Sequence, residues 1–313
     1  MHSVPGLVVL HSKDLVNWEF SSYCFDRFDD SDDFNLRNGK EAYGQGIWAP
    51  AIRYHNGKFY IFSNINGHGL QVYISDSAKG PWTHHKVNGD IYDLSVLFDE
   101  DGKIYAVHKY GNVTVTELKP DLSGPVEGSS KVVIPEGNAM GEGHHIYKIN
   151  GMYYILSADY SPMGRMQCAR SKSIWGPYET CVISERESYG YAAGWSVGNM
   201  GIGRPLPEDG FKFQNNKPYG LNLGCATIHQ GGIVQAPDGK WWGVSMQDFN
   251  AVGRTVCLSP ITWVDGWPYF GLEKNLGRSP RTWFKPNDAV KAPQAPYDRC
   301  DDFSGKTFKP VWQ

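Results

Sequence analysis

No stretch of the 313 residues comes near the roughly 18 consecutive apolar residues that a membrane-spanning helix needs. Long runs of lysine or arginine are also missing, and the formal charge is only −3. A surface built for nucleic acid or for a membrane is therefore not expected. Cysteine is scarce. The six, Cys24, Cys168, Cys181, Cys225, Cys257 and Cys300, include no Cys-x-x-Cys pair, which argues against a zinc ribbon or a thioredoxin-like site. So few in so long a chain do not make a disulfide framework, and they read as small buried hydrophobes. Met1–Leu10 is mildly apolar but has no basic flank, so it does not read as a signal peptide. Compartment and oligomeric state stay open.

What the chain has in abundance is turn formers and aromatics: 36 Gly, 19 Pro, 11 Trp and 18 Tyr. That mixture suits a turn-rich all-β protein whose exposed rings meet sugars. Two short motifs recur in fixed order. The first is a hairpin signature, at Asn56-Gly57-Lys58-Phe59-Tyr60, Asp101-Gly102-Lys103-Ile104-Tyr105, Asn150-Gly151-Met152-Tyr153-Tyr154 and Asp238-Gly239-Lys240-Trp241-Trp242. Asn-Gly and Asp-Gly are preferred centres of two-residue turns in which both residues take positive φ, and the flanking residues suit strands. The second motif reads Ser75-Asp76-Ser77-Ala78-Lys79-Gly80-Pro81-Trp82 and Ser171-Lys172-Ser173-Ile174-Trp175-Gly176-Pro177-Tyr178, with a looser copy at Ser12-Lys13-Asp14-Leu15-Val16-Asn17-Trp18. Each unit is thus a hairpin, a third strand, a turn and a fourth strand. Radially arranged units of this kind make a β-propeller. A β-sandwich has no reason to repeat two motifs in one order.

The repeat spacing also bears on where the units start. Gly57 precedes Ser75 by 18 positions and Gly151 precedes Ser171 by 20, so the copy at Ser12 should have its turn glycine ahead of Met1. The reading predicts a five-bladed β-propeller over residues 1–286 whose first blade is incomplete, lacking its first hairpin. Residues 183–224, rich in Gly, Pro and Asn, are expected to hold a blade strand and a long surface excursion. Residues 287–300 have a linker's composition, and 301–313 read as the opening of another element.

Counting back from each turn glycine picks out four side chains. Trp48, Asp93 and Glu142 lie nine residues before Gly57, Gly102 and Gly151, and His229 lies ten before Gly239, where the turn has an extra residue. They read as one repeat-equivalent position, at the entry to a blade's innermost strand, where a propeller's channel opens. Glycoside hydrolysis usually needs two carboxyl groups. Glu142, between glycines, is either a solvated loop residue or an accessible acid. Asp93 either caps its strand or, as a neighbouring negative charge, keeps Glu142 protonated and orients it. Trp48 either stacks on a sugar or belongs to the core. His229 is either a structural histidine or binds an ion or water; one His is not a metal motif. Arg254, ahead of an apolar strand, either bonds sugar hydroxyls or pairs on the surface. The acidic run Asp26, Asp29, Asp30, Asp32 and Asp33 reads as a solvated loop without calcium-loop spacing.

At these residues the sequence resembles glycoside hydrolase family 43, five-bladed propellers that act on arabinose- and xylose-containing polymers. The resemblance covers about residues 3–285. It rests on Pro5-Gly6, on His11 through Trp18, on Gly46-Ile47-Trp48-Ala49-Pro50, and on Asp93 ahead of its hairpin. It continues through Glu142-Gly143-His144-His145-Ile146-Tyr147-Lys148, His229-Gln230-Gly231-Gly232, Gly253-Arg254 and Trp263-Val264-Asp265-Gly266-Trp267-Pro268. It implies an exo-acting, inverting glycosidase that releases terminal α-L-arabinofuranosyl or β-D-xylosyl units from hemicellulose or its oligosaccharides. Glu142 would be the general acid and Asp93 its pKa modulator and orienter. Trp48 and Arg254 would belong to the sugar pocket, with His229 beside a channel ion or water. No cofactor is implied beyond such an ion, calcium for example. The general base would be an Asp of the first hairpin, expected ahead of Met1; no Asp of 26–33 matches its motif. The tail from Asp301 resembles the first strand of the β-sandwich that follows the propeller in one branch of the family. A non-catalytic sugar-binding propeller lacking the base is the other reading left open.

Overall fold

The structure, a computed structural model, describes residues 7–26, 28, 31–43, 45–89, 91–138, 140–159, 165–184, 225–248, 254–277 and 303–307. Of Asp159, Arg165, residues 225–229, Gln247, Asp248, Arg254, Thr255 and Asn275 only the backbone is described. The expected excursion falls mostly on residues 185–224, outside the described residues. So does the 287–300 linker, and so does most of 301–313.

The described residues are almost all strand and turn. β1 (Val8–Ser12) and β2 (Trp18–Tyr23) pair as a two-stranded sheet. Four four-stranded antiparallel sheets follow. The first holds β3 (Ala51–His55), β4 (Lys58–Ile65), β5 (Gly69–Ser75) and β6 (Thr83–Lys86), and the second β7 (Ser95–Phe98), β8 (Ile104–His108), β9 (Val113–Leu118) and β10 (Lys131–Ile134). The third holds β11 (Glu142–Ile149), β12 (Met152–Asp159), β13 (Arg165–Ser171) and β14 (Glu179–Val182). The fourth holds β15 (Cys225–Gln235), β16 (Trp241–Asp248), β17 (Arg254–Val264) and β18 (Trp267–Phe270). The one helical piece among the described residues is a single turn at Glu273–Asn275. The fold is an all-β propeller with four four-stranded blades beside the sheet β1–β2, where the repeat count predicts five blades with the first incomplete. Two compact units divide the chain, one holding β1–β7 and the other β10–β18, with β8 and β9 shared between them.

The second motif has a physical reason in each copy. Its first side chain caps the backbone two residues on: Ser12 Oγ accepts from Asp14 N–H at 3.2 Å, Ser75 Oγ from Ser77 N–H at 3.1 Å, and Ser171 Oγ from Ser173 N–H at 3.1 Å. Its third side chain repeats the step, with Asp14 Oδ1, Ser77 Oγ and Ser173 Oγ accepting from Val16, Lys79 and Trp175 at 3.0, 3.1 and 3.2 Å. Short oxygen-bearing side chains are what such a turn needs. The three copies join β1 to β2, β5 to β6 and β13 to β14.

The hairpin motif divides into two kinds. Asn56-Gly57 and Asn150-Gly151 are two-residue turns with both residues at positive φ, closed by His55↔Lys58 and Ile149↔Met152. The two Asp-Gly turns are one residue longer: the extra residue expected at Gly239 is there, and Gly102, which the spacing does not set apart, has one too. Asp99 N–H donates to Lys103 O and Ala236 N–H to Lys240 O, each across three residues, and only Gly102 and Gly239 take positive φ. The cause is local: Asp101 Oδ1 and Asp238 Oδ1 accept from Lys103 and Lys240 N–H at 2.9 and 3.1 Å. That bond keeps each aspartate on the ordinary side of the φ map and adds a residue to the loop.

In the first unit the inner strands β4 and β5 of the sheet β3–β6 are buried on both faces, and they carry apolar side chains on both. Phe62, Leu70 and Val72 point to a core shared with Val96, Ile104 and Ala106, while Ile61 and Tyr73 point to Val9 and Cys24. Each fully buried side chain of this size stabilises by about 1.5–3 kcal/mol. In the second unit Tyr154, Leu156, Met166 and Cys168 pack against Ile233, Ile261 and Phe270. Cys24 and Cys168 are buried free thiols, as their sequence context suggests. Gly243 has no room for a side chain: a Cβ there would lie 2.9 Å from Ile261 Cδ1 and from Phe270 Cζ. Gly243→Ala should therefore destabilise the protein by about 1–3 kcal/mol, read as a lower urea midpoint at unchanged slope. An unchanged midpoint would mean that Phe270 is not packed as described.

Candidate active site

In the first unit Trp48 is half-buried ahead of β3. Its indole N–H donates to Asn66 Oδ1, which also accepts from Gly46 N–H at 2.9 Å. Trp48 N–H donates to Asn64 O at 2.9 Å and its carbonyl accepts from Ser63 Oγ at 2.8 Å. The ring is thereby fixed at both backbone and edge, and Tyr92 lies against it with centroids 6.2 Å apart. Asn66, which sets the indole, carries no signal in the sequence beyond its place in a turn. Asp93 follows Tyr92, is buried, and has φ 54°. Its strand β7 is tied to β3 by Arg53, which donates to Val96 O at 2.5 Å and to Ser95 Oγ at 2.6 Å.

In the second unit Glu142 opens β11 and is half-buried. Its Oε1 accepts from Gln230 Nε2 at 2.9 Å. The register of β11 on β12 slips between Glu142 and His145, and Gly143 takes φ 67°. A bulge of this kind re-aims a side chain at the end of a strand. It is pinned by His144, which is fully buried. His144 Nε2 donates to Lys109 O at 2.6 Å, so the neutral ring must accept at Nδ1 from Ser157 O–H. His229 lies within β15 opposite Met246, and Arg254 opens β17 opposite Asp248; their side chains lie outside the described residues.

The closing pairs of the hairpins correct the repeat position. Trp48, Glu142 and His229 each stand seven residues before the closing residue of their first strand, namely His55, Ile149 and Ala236. In the second sheet that residue is Asp99, and seven before it is Tyr92, not Asp93. The three-residue loop accounts for the shift. Asp93 instead matches Gly143 and Gln230, and all three have positive φ, at 54°, 67° and 45°.

The acidic run is also less uniform than a solvated loop. Asp26 is exposed, but Asp32 and Asp33 are half-buried. With Ser31, Lys40, Gly67 and His68 they line an open cavity of about 410 Å³. Asp33 Oδ2 lies 3.1 Å from His68 Nε2. Burial raises the Asp33 pKa, but hydrogen bonds from His68 and from the backbone of Phe34 outweigh it and leave the carboxyl below its usual range. The resemblance implies an ion beside His229. Among the described residues no three His, Cys, Asp or Glu side chains gather to hold a metal ion, and the His229 side chain lies outside them.

Residues 1–190 match the family described as glycosyl hydrolases family 43. The β-xylosidase of Formosa agariphila is 29% identical over 357 residues, covering all of this chain and 53% of that protein. The non-reducing end α-L-arabinofuranosidase BoGH43B of Bacteroides ovatus is 32% identical over 299 residues, covering 90% of this chain and 50% of that protein. Among solved structures, a bifunctional GH43-CE protein of Bacteroides eggerthii superposes with a TM-score of 0.71 at 32% identity, covering 90% of this chain and 32% of that one. The chain spans about half the length of the curated relatives it matches.

Burial sets a pH limit on this region. It lowers the pKa of His144 to about 4, and lowers that of His108 to about 4 with help from the charges of Lys109 and His144. Both values are depressed relative to about 6.5 in the unfolded chain. Between pH 6.5 and 4 the unfolded state binds protons that the folded state does not, so stability is complete above this window and falls as pH drops through it. The expected loss is roughly 3 kcal/mol at most per histidine. Urea unfolding at pH 7 and pH 4.5 measures it, and His144→Gln should flatten the dependence. A flat profile in the unaltered protein would show that these imidazoles are not held neutral.

Proposed function

The chain belongs to glycosyl hydrolases family 43, and from that premise we propose that it is the catalytic part of an exo-acting, inverting glycosidase. Its substrates are terminal β-D-xylosyl or α-L-arabinofuranosyl units of hemicellulose or of oligosaccharides cut from it. The observation that carries the reading is the family match over residues 1–190, because Asp93 and Glu142 both lie inside it. The names of the relatives, a β-xylosidase and an α-L-arabinofuranosidase, support both pentoses.

In this mechanism Glu142, as the general acid, gives its proton to the glycosidic oxygen as the bond to the anomeric carbon breaks. A second carboxylate takes a proton from the water that attacks the opposite face, which inverts the anomeric centre. Asp93 orients Glu142 and, by its negative charge, favours the protonated form. Trp48 offers a fixed ring edge and face to the sugar, and Arg254 donates to its hydroxyls. The geometry of Trp48 supports its part: a ring held by Asn66 and Tyr92 is a preorganised wall.

In the protein as its gene encodes it, Glu142→Ala should lower kcat/KM on nitrophenyl β-xyloside or α-L-arabinofuranoside by roughly 100- to 10,000-fold. Asp93→Asn should cost less but still reduce kcat. Proton NMR of the first-formed sugar should show the inverted anomer. Turnover of glucosides or galactosides alone, or retention of configuration, would refute the proposal; binding of xylose or arabinose without any turnover would favour a sugar-binding role.

A further inference from the structure

We propose that Gln230 is the positioning residue of Glu142, fixing which carboxyl oxygen carries the transferable proton; this rests on Glu142 being the general acid. The amide Nε2 of Gln230 donates to Glu142 Oε1 at 2.9 Å. A neutral carboxylic acid has one O–H and one carbonyl oxygen. An amide N–H needs an acceptor, so it selects Oε1 as the carbonyl and leaves the proton on Oε2. A lysine or arginine in this place would instead stabilise the ionised carboxylate and work against a resting acid. A neutral amide orients without imposing a charge, and it does so at every pH.

The backbone accepts strain to keep this contact. Gln230 has φ 45°, a left-handed conformation that L-residues with a side chain rarely adopt. Across from it stands Gly143, where a Cβ would lie 2.6 Å from Gln230 Cγ. Gly232 brings β15 in against β11, and Gly231 packs on β16. A Cβ on Gly231 would meet Val244 O at 2.5 Å, and one on Gly232 would meet the Tyr147 hydroxyl and His145 Nδ1. Tyr147 Oη in turn accepts from Ile233 N–H at 2.9 Å. The head of β11 and the middle of β15 are thus clamped together, and the clamp ends at the Gln230 amide and the Glu142 carboxyl.

The test is a leaving-group series of aryl xylosides or arabinofuranosides, from dinitrophenyl through nitrophenyl to phenyl. Dinitrophenolate departs with little proton assistance, whereas phenolate needs it. Gln230→Met keeps the length of the side chain and removes the donor; Gln230→Ala is the second variant should packing against Gly143 fail. The expected result is a fall in kcat of about tenfold on the phenyl glycoside, the scale of one lost hydrogen bond to the reacting acid, with the dinitrophenyl glycoside within about twofold and KM little changed on both. Glu142→Ala, run beside it, should show the same split more strongly. Equal losses across the series in the Gln230 variants, with the split intact in Glu142→Ala, would overturn the role of Gln230 alone. No split in Glu142→Ala would overturn both assignments.

Discussion

The turn that closes the first hairpin of each sheet sets everything upstream of it. A strand presents alternate side chains to opposite faces, so one residue more or less in the turn changes which of them meets which neighbour. Asn-Gly closes β3–β4 and β11–β12 in two residues, and a self-bonded Asp-Gly closes β7–β8 and β15–β16 in three. Seven residues before those closures stand Trp48, Tyr92, Glu142 and His229, and one residue later the backbone turns left-handed at Asp93, Gly143 and Gln230. The two candidate carboxyls therefore come from neighbouring places in the repeat, Glu142 just before the bend and Asp93 at it.

Around Glu142 the structure invests in fixed geometry. His144, two residues on, is buried and bonded at both ring nitrogens. Gly143 and Gly232 remove the side chains that would keep β15 away from β11. What remains is a half-exposed carboxyl on a backbone with little freedom. Preorganisation of this kind is what an acid needs if its proton is to be delivered along one line. Trp48 shows the same pattern in the first unit, its ring held by one asparagine that also takes Gly46 N–H.

Much of this was legible in the sequence. The two motifs place strand and turn in β3–β6 and β11–β14, the hairpin motif alone places β7–β8 and β15–β16, and Ser-x-Ser or Ser-x-Asp announces the capped turn between paired strands. Asp-Gly was ambiguous. At Asp101 and Asp238 the carboxylate bonds a nearby N–H and lengthens the loop. At Asp265-Gly266 both residues take positive φ, and distant residues hold the turn instead: Arg170 donates to Asp265 O at 2.6 Å and Tyr154 to Gly266 O at 3.1 Å. No local rule separates these cases, because the deciding partners are about a hundred residues away. Gln230 and Asn66 escaped for the same reason. An amide beside a histidine or a glycine looks ordinary until the chain brings it against Glu142 or Trp48. The acidic run is a loop, as read, with Asp26 exposed; that Asp33 finds His68, 35 residues on, is the part the sequence did not show.

The connectivity of the sheets has a consequence for how the chain acquires its shape. Within each sheet hydrogen-bonded strands are neighbours along the chain, from β1–β2 to β17–β18. The loops closed by these pairings are short, so the entropy spent in closing each is small. A sheet of this kind assembles as its own segment becomes available, without waiting for a partner strand hundreds of residues distant. Folding speed across small proteins follows this locality of contacts. During synthesis the sheets can form in order of emergence, with β11 shaped before β15 has been made. The Glu142 carboxyl then meets its amide partner only when the later sheet docks, so the geometry of this carboxyl is among the last features of the second unit to be completed.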